Sequence, residues 1–132
     1  MLRVLSNIVP TVRTIRPGDD NILSTDPAAI EAMKNDPLVD HKGWRIGLSY
    51  HMIEAGRTIR SHAEEITLPL LIMHGEEDTL TPISGAYYLH EHASSTDKTL
   101  RVYPGMRHEI MNEIEREKPL SDLVDWIAHQ LD

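Results

Sequence analysis

Apolar residues recur at two different periods along this chain, and the change of period divides it. From about Gly43 to Glu65, with Ile66 beyond, Trp44, Leu48, Met52, Ala55, Ile59, Ala63 and Ile66 are spaced by three and four. That spacing predicts a long helix with one apolar face. Upstream, Ser24-Thr25-Asp26-Pro27 reads as a helix start. Asp26 can accept from the free N–H groups of a first turn, and Pro27 suits the first helical position, where its missing N–H is no loss. This helix is expected to run through Ala28 to about Met33 and to stop near Asn35-Asp36-Pro37. Residues 1–15 predict a short helix ahead of Arg16-Pro17-Gly18-Asp19-Asp20, a turn signal. The first half is therefore helical, with breaks marked by proline.

At Thr67-Leu68-Pro69 the pattern changes. Residues 70–73 form a continuous apolar run between Pro69 and a His74-Gly75 turn, the mark of a short, fully buried strand. Residues 82–95 predict a helix opened by Pro82, with Ile83, Ala86, Tyr87 and His90 toward one side. Residues 98–103 predict a second strand with Leu100 and Val102 facing one way. Residues 119–131 predict a last amphipathic helix on Leu120, Leu123, Val124, Ile127 and Leu131. Strand, helix, strand, helix with these connection lengths implies an α/β fold with a parallel pair and a right-handed crossover. There is no internal repeat and no low-complexity segment.

Composition narrows the picture. At 132 residues the chain is one domain by length. Phe is absent and aromatics are only 5%, so the core rests on Leu, Ile, Val and Met. A net charge of −8 argues against nucleic acid or an anionic membrane as partner. Without cysteine there are no disulfides and no thiolate metal ligands. No apolar run approaches the length of a membrane span, and the apolar cluster in Met1–Pro10 is too short and interrupted for a signal peptide. A cytoplasmic location is the expectation.

The candidate chemistry lies just past the two strands. Asp78 stands five residues after Met73, and His108 five after Tyr103. If the strands are parallel neighbours, both side chains emerge at the carboxyl edge of the sheet, where open α/β sheets bind ligands. A histidine needs a partner at one ring nitrogen before the other can serve as a base, and Asp78 could be that partner. On spacing alone the plainer reading, Asp78 as a turn residue and His108 as a surface histidine, is the stronger.

The residues around the pair carry more. Leu68-Pro69-Leu70-Leu71-Ile72-Met73 leads into His74-Gly75-Glu76-Glu77-Asp78-Thr79-Leu80-Thr81, and Gly85-Ala86-Tyr87 follows in the next helix. Then come Asp97-Lys98-Thr99-Leu100, Val102-Tyr103-Pro104-Gly105, and His108-Glu109-Ile110 with Asn112-Glu113. Over about residues 67–132 the chain resembles the C-terminal part of an α/β-hydrolase, in particular the monoacylglycerol lipase and lysophospholipase-like branch. The resemblance implies that Asp78 is the orienting acid and His108 the general base of a triad ordered Ser, Asp, His. A zinc site needs convergent ligands and no HExxH motif occurs, so no metal is expected, nor any cofactor. Residues 1–66 resemble the helical lid of that branch, less specifically, through the Asn35-Asp36-Pro37-Leu38-Val39 turn into the long helix. Such a lid could shield an apolar acyl chain from water. A helical layer that only covers the sheet is the equal alternative.

The nucleophile of that family sits in Gly-x-Ser-x-Gly, and no such motif occurs in the 132 residues. The nearest approach, Gly47-Leu48-Ser49-Tyr50-His51, lacks the second glycine and falls within a helical pattern, so Ser49 reads as a packed helix residue. His90-Glu91-His92 is a poor ligand set, since residues two apart on a helix do not share a face. Lys42-Gly43 stands outside any glycine-rich phosphate loop. The expectation is the C-terminal half of a serine hydrolase, carrying acid and base but no nucleophile and inactive alone. Its substrate, once completed by an N-terminal half, would be a lipid ester or another small ester. The rivals are a non-catalytic binding or interaction domain derived from the fold and a shortened product with no independent role. A half-sheet also leaves an open strand edge, so self-association or a covering partner is expected.

Overall fold

The computed structural model describes residues 2–13 and 20–131. Its elements are α1 (Leu2–Ile8), α2 (Pro27–Asn35), α3 (Ile46–Ser61), β1 (Leu70–Gly75), α4 (Ser84–His92), β2 (Lys98–Tyr103) and α5 (Glu117–Leu131). Single 3-10 turns lie at Asp20–Ile22, Ala63–Glu65 and Ile110–Asn112. Of the predicted turn at 16–20 only Asp20 is described, at the start of a 3-10 turn; residues 16–19 lie outside the described residues. No described helix is long and apolar enough to cross a membrane.

Local chemistry sets the helix ends. The Asp26 carboxylate accepts from the Ala28 amide at 2.8 Å, and Pro27 opens α2. The helix stops at Asn35 because Asp36, ahead of Pro37, is pushed into an extended conformation. α3 starts at Ile46, later than its periodicity suggests, because Gly43 is left-handed with φ 83°. It ends at Ser61, with His62 capping the final carbonyls before the Ala63–Glu65 turn.

β1 and β2 pair in parallel, from Leu70 opposite Lys98 to Gly75 opposite Tyr103. β2 spans the predicted residues. β1 runs two residues further than predicted, because His74 and Gly75 find ladder partners in Val102 and Tyr103 rather than turning. α4 packs against both strands. α5 lies along the Leu71, Thr99 and Arg101 side, tied by the Tyr103 hydroxyl to Asp122 at 3.0 Å and by Gln130 to Asp97 at 2.8 Å. The compact core is Tyr103, Met106 and Ile110, with Met73 and Met111 packed on it.

The expected full burial of β1 fails, and several apolar helix positions are exposed with it. β1 is half-buried apart from Gly75, because a two-stranded sheet has too few neighbours to cover it. Leu48, Met52 and Ile59 of α3 are exposed, as are Leu120, Val124, Ile127 and Leu131 of α5 and Tyr87 of α4. Helical periodicity says that a face is apolar; it does not supply the surface that buries it.

Candidate active site

Backbone contacts bring the turns after the two strands together. Gly75 ends β1 directly against the chain that follows β2. A Cβ there would lie 2.1 Å from the Arg107 carbonyl oxygen and 2.5 Å from that of Met106, so only glycine fits. The next two amides cross the same gap: Glu76 donates to Tyr103 at 3.0 Å and Glu77 to Met106 at 2.9 Å. On the other side, Pro104 and Gly105 make a tight turn closed by the Met106 amide on the Tyr103 carbonyl. Gly105 has φ 73°, which a type II turn demands at its third position.

These turns deliver Asp78 and His108 to one place. Asp78 Oδ2 and His108 Nδ1 are 2.9 Å apart. The carboxylate is held from its own turn as well. The amides of Leu80 and Thr81 donate to Oδ1 at 2.8 and 3.0 Å, and the Thr81 hydroxyl donates to Oδ2. The Asp78 side chain is only 4% exposed, whereas that of His108 is 34% exposed. Burial pushes the Asp78 carboxyl up, but the Thr81 hydroxyl and amide, His108 and the Leu80 amide outweigh it and bring it down to about 2. Asp78 is therefore an anion at neutral pH. An anionic carboxylate only accepts, so Nδ1 of His108 carries the proton and Nε2 presents a lone pair.

Two further groups complete the surroundings, and neither was singled out from the sequence. His74 Nδ1 donates to the Gly75 carbonyl at 2.8 Å, and its Nε2 lies 3.6 Å from Asp78 Oδ2. Glu113 is 1% exposed. Its Oε1 accepts from the Arg107 amide at 2.7 Å. Its Oε2 accepts from the Thr25 amide at 2.8 Å and from the Thr25 hydroxyl. Burial pushes the Glu113 carboxyl up, but these donors outweigh it and hold it below the usual carboxylate range. Nothing periodic marks Glu113: its donors stand 6 and 88 residues away.

The weaker candidates are occupied locally. The Ser49 hydroxyl donates back to the Arg45 carbonyl at 3.3 Å within α3. His92 stacks on Tyr88 and bonds its carbonyl at 2.9 Å. Among the described residues, no three His, Cys, Asp or Glu side chains converge as a metal site would require.

The family model described as "Serine aminopeptidase, S33" matches residues 1–115. The chain belongs to this family. Proteins similar to it include the monoacylglycerol lipase of Mycolicibacterium smegmatis, 35% identical over 129 residues that cover 98% of this chain and 46% of the relative. The monoglyceride lipase of Homo sapiens is 30% identical, covering 98% of this chain and 40% of that protein. Among solved structures, the monoacylglycerol lipase of Paleococcus ferrophilus superposes with a TM-score of 0.88 at 30% identity, over 95% of this chain and 49% of that one. The fold is thus that of an α/β-hydrolase, represented here by two parallel strands and their flanking helices. The chain spans about half the length of the curated family relatives it matches.

Proposed function

We propose that this chain carries the acid and base of a serine carboxylic-ester hydrolase of the monoacylglycerol lipase type. The observation that carries the reading is the 2.9 Å contact between a buried, anionic Asp78 and a half-exposed His108. In this reading Asp78 fixes the Nδ1–H tautomer and steadies the imidazolium that forms. Nε2 takes the proton of a serine hydroxyl as its oxygen bonds to the ester carbonyl carbon. The imidazolium then gives that proton to the departing alcohol oxygen as the carbon–oxygen bond breaks. Water, deprotonated by the same Nε2, hydrolyses the acyl-serine and returns the serine its proton.

The 132 residues contain no Gly-x-Ser-x-Gly, so the serine and the oxyanion donors come from polypeptide outside them. Residues 1–66 act as the lid over the acyl chain, and residues 67–132 as the acid–base end of the core. The substrate class is a monoacylglycerol or a similar lipid ester, in keeping with the names of the relatives.

The test is complementation. The 132 residues alone should show no ester turnover and no labelling by a serine-directed phosphonate. Adding a polypeptide that supplies the family's Gly-x-Ser-x-Gly half should restore both, and His108→Ala should abolish the restored turnover. Stoichiometric labelling of the isolated chain at Ser49, or at any other serine, would overturn the reading. Failure of His108→Ala to affect restored turnover would favour a binding domain without chemistry.

A further inference from the structure

His108 is held by its imidazole on one side only, yet the backbone on both sides of it is pinned to a distant segment. Before it, the Arg107 amide donates to Glu113 Oε1 at 2.7 Å, and the Arg107 guanidinium donates to the carbonyls of Asn21 and Ser24. After it, the Glu109 amide donates to the Leu23 carbonyl at 2.8 Å. Glu113 closes this lattice. One oxygen reaches the base loop, and the other takes the Thr25 amide and hydroxyl. The Ser24 hydroxyl lies 3.3 Å from the same oxygen and donates to the Asn112 carbonyl at 2.9 Å. A carboxylate 1% exposed is expensive to bury, and here backbone N–H groups and hydroxyls satisfy it. A charge kept at that cost in a bridging place points to a positional role.

Resting on the acid–base reading above, we propose that Glu113 is the positioning residue of the base. It fixes the backbone just ahead of His108 against residues 24–25, and so sets where the imidazole meets Asp78. Its two oxygens accept from both segments at once. A glutamine has one acceptor oxygen, and its amide would face donors. An aspartate keeps the charge but is shorter by one methylene and cannot span both.

The readout is the tautomer of His108, followed by two-bond 1H–15N correlation in histidine-labelled 132-residue chain. The spectra are taken at about pH 8.5, where an ordinary imidazole is neutral. His108→Gln assigns the signal, and Asp78→Asn supplies the endpoint in which Nδ1 has lost its carboxylate. The wild type should show one Nδ1–H form. Glu113→Gln and Glu113→Asp should lose that single form and give averaged ring shifts, with the backbone amides of β1, β2 and α5 unmoved. If neither variant folds, Thr25→Val, which removes one hydroxyl, should move the ring shifts toward the Asp78→Asn endpoint. In the complemented enzyme, Glu113→Gln should lower kcat about tenfold or more with little change in KM. A folded Glu113 variant, or Thr25→Val where neither folds, that keeps the wild-type Nδ1–H pattern overturns the proposal. The spectra need neither substrate nor turnover, so failure of the hydrolase reading would show only in the complementation assay.

Discussion

At the scale of single residues, Asp78 links stability to the proposed chemistry. Its carboxyl is brought to about 2, below its ordinary value of 3.8, by donors that favour the anion. A group with a depressed folded pKa stabilises fully above its unfolded pKa. That contribution, on the order of 2 kcal/mol, is lost as pH falls from about 4 through about 2. Urea unfolding of the wild type should show this acid loss, and Asp78→Asn should lack that component while being less stable at neutral pH. Gly75 is the second residue with a sharp requirement. Gly75→Ala would drive a methyl into two carbonyl oxygens and should cost at least about 2 kcal/mol in the same urea assay. Because the turns would then separate, the single Nδ1–H form of His108 should be lost as well.

At the scale of elements, what the sequence showed and what it hid have physical explanations. α2 was legible because its start is local chemistry: Asp26 and Pro27 act within one turn. Asp26→Ala should therefore cost about 1 kcal/mol, read as a fall in the urea midpoint, without disturbing the dyad. β2 was legible through its alternation, and Asp78 and His108 through the resemblance of the residues around them rather than through spacing, since β1 ends at Gly75 and not at Met73. The last two residues of β1 were not, because His74 and Gly75 become strand only through partners 28 residues away. Glu113 was hidden for the same reason, as its meaning lies in donors from Thr25 and Arg107. The apolar stripes of α3 and α5 were legible as stripes, but not what they would face, since periodicity cannot report what lies opposite.

At the scale of the whole molecule, those uncovered stripes and the two-stranded sheet make one surface problem. Each strand has a single ladder partner, and large apolar side chains of α3 and α5 face outward. Open edges and apolar faces of this kind favour association. Light scattering of the 132 residues should give a mass above that of one chain, or a complex once a partner covers the edge. A stable, dilute monomer with two-state unfolding would contradict this. The contact at Gly75 has a consequence of another sort, for cooperativity. Amides of Glu76 and Glu77 end on carbonyls of Tyr103 and Met106, so neither turn can open while the other stays shut. In native-state hydrogen exchange these amides should belong to one foldon with β2, sharing its opening free energy, while α1 and the exposed end of α3 exchange earlier. Acid and base would then be lost in a single event, and a population with half a dyad would never accumulate.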